Sequence, residues 1–283
     1  MLLDIPTVEK IQFIEGTSKI KMDDFNNRIK IVSYSGLAEN LIDKILDLAK
    51  EKDVGKIFYI GSKDEVNKFK DLGFIMEAKA NNFLNGESGY FLSKFLLPER
   101  KMCLHIPEEE EVLIEAREYI NNNYKVHTYN NYFIRDGHKE DVKQLATLYD
   151  SVFETYPSPM NDPDYILYAM NNNVVFKVAL QNDKIVSAAS ADIDPTNFNA
   201  EMTDCATYIS HRGHGLMSRL IYELEKDLKN KNFKSLYSMA RSISIGMNIV
   251  FAKHNYQYGG KLINHAHICG QFENMNIWVK ELN

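Results

Sequence analysis

The sequence predicts an α/β (α+β) fold, in which a mixed and mostly antiparallel sheet is flanked by helices and preceded by a degenerate half domain of similar design. Apolar runs of strand length alternate with segments of helical spacing. A glycine-rich turn joins a strand to a helix late in the chain, and the order of elements after it occurs in weaker form earlier. At 283 residues the chain suits two units, which we expect at 1–125 and 126–283.

The first unit is predicted from one helix and the strands that follow it. Helical spacing extends over 37–52, and apolar runs at 56–60, 77–85 and 89–97 predict strands. No glycine-rich turn of the later kind precedes this helix, so the unit is either structural or a wall of the second unit's site. Two of its segments align with later ones, namely 56–60 with 234–238 and 69–74 with 251–256.

The second unit follows a linker at 98–101 and a helix at 108–121, whose acidic first turn suits the helix dipole. A strand at 132–135 and a helix at 141–153 are predicted to open it. The segment 155–165 then contains three prolines and two aspartates. We therefore predict a stiff, irregular loop, which is either a surface connector or a cover for a small ligand.

A phosphate-binding turn is predicted where a strand ends at Ile209 and a helix begins at Leu216. Free N–H groups and the helix dipole favour an anion at such a helix start. Gly213 and Gly215 let the main chain approach a phosphate closely, and Arg212 adds a permanent positive charge. The Gly-Lys-Ser/Thr ending of a Walker loop and the third glycine of a dinucleotide fingerprint are both absent.

The elements after this turn complete the predicted unit: a helix at 216–229, a strand at 235–240, a helix at 244–254 and a final pair of strands. This order and the run Arg212-Gly213-His214-Gly215-Leu216-Met217 resemble the GCN5-related N-acetyltransferases, although Met217 replaces the usual glycine or alanine. The resemblance implies that acetyl-CoA is the co-substrate. It assigns cofactor binding to Thr207, Tyr208, Ile209, Arg212, Gly213, His214, Gly215, Leu216, Met217 and Asn248.

Composition limits the partners. A formal net charge of −6 argues against nucleic acid and against an anionic membrane. No apolar run approaches about 18 residues and no signal-peptide pattern opens the chain, so we expect a cytoplasmic protein. Cys103, Cys205 and Cys269 lack paired spacing and are expected to be reduced thiols. The histidines lack metal-ligand spacing, and we expect no metal.

Acetyl transfer to an amine requires the free base, because an ammonium group has no lone pair to attack the thioester. Glu201 and Asp204 lie on the strand that leads into the turn, and we favour Glu201 as the base and Asp204 as an ammonium anchor. They point to opposite faces unless a bulge intervenes. The family's usual proton donor for the thiolate is a tyrosine, but Phe251 occupies its position, which leaves Tyr256, Tyr258 or Tyr208, or an unassisted thiolate.

A finer resemblance covers the whole chain. Its residues are Glu201-Met202-Thr203-Asp204-Cys205-Ala206-Thr207, Ala240-Arg241-Ser242, Gly246-Met247-Asn248, Tyr258-Gly259-Gly260 and Met275-Asn276-Ile277-Trp278, together with the proline loop. Together they resemble the β-lysine N-acetyltransferases. The resemblance implies transfer of acetyl to the ε-amine of β-lysine, which yields the compatible solute Nε-acetyl-β-lysine, and it implies a lysine 2,3-aminomutase upstream.

This acceptor has two ammonium groups and one carboxylate, which sets the charges that its site needs. Asp162, Glu201 and Asp204 are candidates for the retained ammonium, and Tyr156 is a candidate in the proline loop. Arg241 either pairs with the substrate carboxylate or contacts a phosphate or a helix end.

Two other functions stay open from the sequence. One is acetylation of another small amine, such as a polyamine, or of a protein lysine. The other is a sensor that binds acetyl-CoA or an amino acid without turnover, which Phe251 in place of the tyrosine favours. A monomer or a homodimer is expected.

Overall fold

A computed structural model describes residues 8–121 and 131–282. The expected boundary between units, at 125/126, lies outside the described residues. Within them, thirteen strands form one continuous sheet. Only two of its strand pairs are parallel, which confirms the predicted mixed, mostly antiparallel class.

The first half consists of six strands and two helices. Its helix α1 packs on one face of the sheet through Leu41, Ile42 and Ile45, which follow helical spacing. Ile29 and Ile31 of the sheet are buried against it. The elements are β1 (Val8–Phe13), β2 (Gly16–Asp23), β3 (Arg28–Ser35), α1 (Ala38–Glu51), β4 (Lys56–Gly61), α2 (Glu65–Asp71), β5 (Ile75–Leu84) and β6 (Glu87–Phe95).

The second half adds seven strands and four helices. The helix α3, which precedes it in sequence, packs against this half: Ala116 joins its core, and the Arg117 guanidinium lies 4.8 Å from the Tyr258 ring. The sequence prediction assigned no element to 163–194, where a helix and two strands lie. The elements are α3 (Ile106–Arg117), β7 (Phe133–Asp136), α4 (Val142–Val152), α5 (Pro163–Asn171), β8 (Val174–Gln181), β9 (Lys184–Asp194), β10 (Asn199–Thr207), α6 (Leu216–Asn230), β11 (Ser235–Arg241), α7 (Ile245–Lys253), β12 (Gln257–Ile268) and β13 (Gln271–Glu281).

The two halves of the sheet have the same strand order when each is counted outward from the junction of β5 and β12. It runs β1-β2-β3-β4-β6-β5, then β12-β13-β11-β10-β9-β8-β7. Each strand of the first half therefore has a counterpart at the mirrored position in the second half, and β7 is the additional edge strand of the second half. The parallel pair β3–β4 corresponds to the parallel pair β10–β11, and in both cases a helix connects the two strands.

The two halves meet at a narrow seam between β5 and β12, where Gly260 pairs with Ala78. A buried ion pair supports this seam, because Lys56 Nζ lies 2.9 Å from Glu77 Oε2 and donates to the Ile263 carbonyl oxygen at 2.8 Å. Glu77 Oε1 accepts a hydrogen bond of 2.7 Å from the Ile263 N–H. The charges on β4 and β5 thus hold the main chain of β12.

One face of the sheet, which we call the inner face, is shared by both halves. It carries a hydrophobic cluster that includes Phe58, Phe83 and Phe91 of the first half and Leu262 and Ile277 of the second. The end of β5 crosses this face. The two halves therefore share one interior at their junction. Three contacts join them there: Asn199 Nδ2 donates to the Phe83 carbonyl oxygen at 2.6 Å, Asn85 N–H donates to the Asn197 carbonyl oxygen at 3.1 Å, and the Phe83 and Tyr237 rings lie 4.8 Å apart.

Candidate active site

A gap opens in the sheet where β10 separates from β11. The two strands pair only at Asn199, Ala200 and Glu201. Beyond this point β10 has a bulge against β9, and Asp204 within it adopts a left-handed conformation with φ of 47°. The bulge turns the Asp204 side chain out of strand alternation and leaves main-chain groups of β10 without a partner in β11.

The glycine-rich turn lies at the mouth of this gap. Gly213 has φ of 79°, and Gly215, the N-cap of α6, has φ of 67°. No side chain caps the helix, so its first N–H groups lack an acceptor within it. A Cβ at Gly213 would meet nothing within 4 Å, so the space above the turn is open. Arg212 Nε donates to the Thr207 carbonyl oxygen at 3.2 Å, which holds the guanidinium beside the turn.

The gap and the turn form one cleft with a volume of about 1110 Å³. Its walls come from β10, the glycine turn, the start of α6, the end of β11 and α7, and from the segment after α4. Nine of the predicted site residues line it: Tyr156, Asp204, Thr207, Arg212, Gly213, Gly215, Leu216, Met217 and Arg241.

Asp204 is the buried carboxylate of the cleft. Its Oδ2 accepts a hydrogen bond of 2.5 Å from the Ser190 hydroxyl, and its main-chain oxygen accepts one of 2.8 Å from the Tyr149 hydroxyl. Burial raises the pKa of the Asp204 carboxyl to about 6, although the hydroxyls of Ser190 and Tyr156 hold it lower. The side chain is therefore largely ionised at neutral pH and can still take up a proton.

Glu201 lies at the last β10–β11 pair before the gap, on the inner face and outside the cleft lining. Its Oε2 accepts a hydrogen bond of 3.1 Å from the Tyr237 hydroxyl. Burial raises the pKa of the Glu201 carboxyl to about 7, and the charge of Asp192, its partner on β9, adds to the rise. Two carboxyls with raised pKa values thus follow one another along β10.

Three predicted cofactor residues flank the cleft without lining it: Tyr208, Ile209 and His214. Ile209 is 77% exposed in the short turn after β10, and Tyr208 packs into the core. Asp162 also lies outside the lining. Its side chain caps α5 by accepting a hydrogen bond of 2.9 Å from the Asp164 N–H, a local role that explains its position.

Asn248 does not fit the predicted role in cofactor binding, because its side chain is fully buried and already bonded. Its Nδ2 donates to the carbonyl oxygens of Arg241 and Ser244 at 3.0 and 2.8 Å. Its Oδ1 accepts from Asn276 and from the Trp278 indole at 2.9 and 2.8 Å. All hydrogen-bonding positions of the amide are used. Asn248 instead holds the β11–α7 connection that forms one wall of the cleft.

Tyr256 does not fit the predicted role of proton donor. It is fully buried beneath the cleft wall, and its hydroxyl does not reach the lining. Burial and the nearby Glu225 carboxylate raise its pKa well above the usual value. Phe251, which does line the cleft, packs edge-on against the Tyr256 ring at 5.1 Å.

Arg241 lines the cleft as predicted, but its charge already has a partner. Its Nη2 lies 2.7 Å from Glu273 Oε1, and the Glu273 side chain is only 5% exposed. Because this carboxylate compensates the guanidinium, Arg241 is a weak candidate for the carboxylate of a small substrate.

Sequence reasoning missed Ser190 and Tyr149, which position Asp204. Ser190 lies in a run of small residues on β9, and Tyr149 on the apolar face of α4 reads as core. Neither residue has a local motif that could have revealed it. Within residues 8–121 and 131–282, no three His, Cys, Asp or Glu side chains are grouped as a metal ion requires. In the same ranges, no helix combines the length and the apolar character needed to cross a bilayer.

Comparison with known proteins identifies the family to which these features belong. Residues 143–247 match the acetyltransferase (GNAT) family. The β-lysine N(6)-acetyltransferase of Methanococcus maripaludis is 36% identical over 274 residues, which cover 96% of this chain and 99% of that protein. N-acetyltransferase YodP of Bacillus subtilis is 39% identical over 94% of this chain and 96% of its own length.

A third relative, the β-lysine N(6)-acetyltransferase of Methanosarcina mazei, is 30% identical over 89% of this chain and 100% of its own length. The similarity thus extends over both halves of the sheet and not only over the segment with the glycine turn. The chain belongs to the GNAT acetyltransferase family.

Proposed function

We propose that this enzyme transfers the acetyl group of acetyl-CoA to the ε-amine of β-lysine and so forms Nε-acetyl-β-lysine. One observation carries the proposal: a single cleft joins an anion-binding helix start to a buried carboxylate whose pKa is about 6. The choice of β-lysine rests on relatives of that activity whose similarity covers nearly the whole chain.

The cleft fits acetyl-CoA, which supplies an activated acyl group as a thioester. The open space above Gly213 and the uncapped amides of α6 suit a pyrophosphate, and Arg212 adds charge beside them. The separated edge of β10 offers main-chain groups to the pantetheine amides. These features retain Arg212, Gly213, Gly215, Leu216, Met217 and Thr207 as proposed cofactor residues.

We assign proton acceptance to Asp204 and ammonium binding to Glu201, which exchanges the roles expected from the sequence. A lysine-like amine has a pKa of about 10.4, so at neutral pH only about one molecule in a few thousand is the free base. Asp204 lines the cleft and accepts the proton that the amine loses. Glu201 lies three residues earlier on β10, where it accepts a hydrogen bond from Tyr237 and can bind an ammonium group.

The thiolate leaves without a tyrosine donor. Phe251 has no hydroxyl, and Tyr256 is buried away from the cleft. A thiol has a pKa of about 8.5, so its anion is a much better leaving group than an alkoxide. Protonation by solvent after departure is sufficient.

The charge change favours a role of the product as a compatible solute. β-Lysine carries two positive charges and one negative charge, and acetylation of one amine leaves a net-neutral zwitterion. We propose that the enzyme acts in the cytoplasm, after a lysine 2,3-aminomutase that supplies β-lysine.

The experiment is thiol release from acetyl-CoA by the purified protein, with β-lysine, α-lysine, spermidine and a lysine peptide offered in parallel. We expect rapid release with β-lysine, and mass spectrometry of the product should locate the acetyl group on the ε-nitrogen. Preferred release with another amine would replace β-lysine by that acceptor. Binding of acetyl-CoA without release on any amine would contradict an enzymatic role.

A further inference from the structure

The first half of the chain contributes a lysine to the inner face. On β3, Ile29 and Ile31 are buried against α1, so Lys30 between them points to the opposite side of the sheet. There it pairs with Phe58 of β4, which belongs to the inner-face cluster, and with Lys21 of β2. Lys30 thus faces the interior that the two halves share.

Lys30 is the counterpart of Glu201. In β3–β4 the third parallel pair is Lys30 with Phe58, and in β10–β11 the third parallel pair is Glu201 with Tyr237. Because the strand order is mirrored about the seam, these two positions lie on the same face at corresponding distances from it. The two halves therefore present opposite charges at equivalent places.

A continuous aromatic path connects the two positions. The Phe58 ring lies 6.0 Å from Phe91, which lies 5.4 Å from Phe83. Phe83 in turn lies 4.8 Å from Tyr237, whose hydroxyl donates to Glu201. Lys30 and Glu201 are thus the polar ends of one apolar wall.

The charges influence each other across this wall without direct contact. Burial lowers the pKa of Lys30, and the carboxylates of Glu201 and Asp192 oppose that change. Among the described residues, neither Lys30 nor Asp192 forms an ion pair within 4 Å. Lys30 and Glu201 are half-buried, and Asp192 keeps solvent contact. Within the described residues, a cation and two anions thus lie on one face without an ion pair between them.

We propose that Lys30 binds the carboxylate of the acceptor, while Glu201 and Asp192 bind its retained β-ammonium group. The inference rests on the proposed function. In β-lysine the carboxylate and the β-ammonium are separated by two bonds along the carbon chain, which suits a cation facing two anions. The ε-amine lies farther along the carbon chain, where it would reach Asp204, which follows Glu201 by three residues and is turned out of strand alternation by the bulge.

The assignment also explains why Arg241 is not needed for the carboxylate. Its guanidinium pairs with Glu273 at 2.7 Å, whereas the Lys30 ammonium has no such partner among the described residues. The first half of the chain would then determine which acceptor is used, although the cofactor binds entirely in the second half.

The test compares Lys30→Met with wild type on two acceptors, β-lysine and pentane-1,4-diamine, which is the same molecule without the carboxylate. We expect kcat/KM for β-lysine to fall by roughly 10- to 100-fold, mainly through KM, because a charge-assisted bond is lost. The KM for acetyl-CoA and the kcat/KM for the diamine should change little. Lys30→Arg should restore much of the loss.

Lys44→Met is the matched control, because Lys44 is exposed on α1 on the opposite side of the sheet. It should leave the kcat/KM for β-lysine, the KM for acetyl-CoA and the kcat/KM for the diamine unchanged. An equal loss on both acceptors, or no loss on β-lysine, would overturn the role of Lys30 while leaving the acetyltransferase reaction in place. If wild type itself does not acetylate β-lysine, the proposed function fails instead.

Discussion

In the described part of the chain, β1–β6 and β8–β13 have the same order of strands and helices, and the cleft lies between the parallel strands β10 and β11 of the second half. In the second half, a Cβ added to Gly213 would meet nothing within 4 Å. At the corresponding turn of the first half, a Cβ added to Gly36 would lie 2.6 Å from the Glu15 carbonyl oxygen. The β1–β2 turn thus occupies the space before α1 that corresponds to the open space before α6.

The rest of the corresponding cleft in the first half is filled by aromatic rings. Tyr59 stacks on Phe69 at 4.5 Å, and Tyr34 packs edge-on against both rings. The Tyr59 hydroxyl donates to Glu65 at 2.7 Å, which satisfies its polar group. The first half has become a packed core where the second half has a binding site. The same arrangement of strands therefore supports either a packed core or a binding site, and the turn and the side chains between the strands decide which.

Loss of the Asp204 carboxylate, which belongs to the cleft of the second half, should reduce kcat more strongly than any other change proposed below. Asp204→Asn removes the proton acceptor but keeps the size of the side chain, so kcat should fall by about 10²- to 10⁴-fold. Steady-state kinetics with β-lysine measures it. Asp164→Asn, at an exposed position on α5, is the control and should have no effect. A loss below about fivefold for Asp204→Asn would remove this residue from the mechanism.

The pH dependence sharpens the same assignment. Burial raises the pKa of Asp204 to about 6 and that of Glu201 to about 7. Both groups act as anions, so activity is present above these values and is lost as the pH falls through 7 to 6. Because Asp204 and Glu201 interact, the pH range over which activity falls is a property of the two groups together and not of either one alone. A kcat/KM profile that stays flat down to pH 5 would contradict this prediction, and Asp204→Asn should remove the lower part of the limb.

The next prediction concerns the buried ion pair between Lys56 and Glu77, which supports the seam between the halves. Lys56→Met leaves Glu77 buried without its cation, which should lower the free energy of unfolding by about 3–5 kcal/mol. Adding Glu77→Gln should recover part of this loss, because the unpaired charge disappears. Urea denaturation measures both variants. The control is Asp136→Asn, which removes the 65% exposed partner of Lys177 and should cost less than about 1 kcal/mol. An equal cost for the two single variants would show that the seam does not depend on this pair.

Substitutions at Gly213 and at Gly36 should have the smallest effects, and they compare the open turn of the second half with the closed turn of the first. Gly213→Val should raise the KM for acetyl-CoA by about 10- to 100-fold, because a branched side chain is strained at φ of 79° and covers the amides. Gly36→Ala should instead lower stability by about 1–3 kcal/mol and leave this KM unchanged, since its Cβ meets the main chain of Glu15. Thermal denaturation and acetyl-CoA kinetics on both variants separate the two outcomes. If Gly36→Ala also raised this KM, the closed turn would not be a purely structural one.

The sequence predicted the fold and the family because both depend on local signals. The strand, glycine turn and helix around Gly213 follow from short-range rules, and the resemblance carried by those residues led to the family. Residues 163–194 received no element, because the small residues of β9 and the buried run of β8 lack a clear period.

The site residues that sequence reasoning misplaced depend on contacts between distant segments. Spacing along the chain could not reveal that Asn248 bonds to Asn276 and Trp278, or that Tyr256 is buried outside the cleft lining. Lys30 could not be found, because its relation to Glu201 arises only from the mirrored order of strands.

The seam between β5 and β12 has a consequence for how this enzyme can diversify. A side chain at Gly260 would overlap the Glu77 carbonyl oxygen, so the close approach of the two strands at this contact requires glycine. A larger residue at Gly260 would push the two strands apart, so the width of the shared interior cannot be adjusted at this contact without disturbing the seam. Variation among descendants must therefore act through the residues that line the interior, while the frame stays constant. A protein built in this way can acquire a new acceptor in one half without rebuilding the machinery of the other.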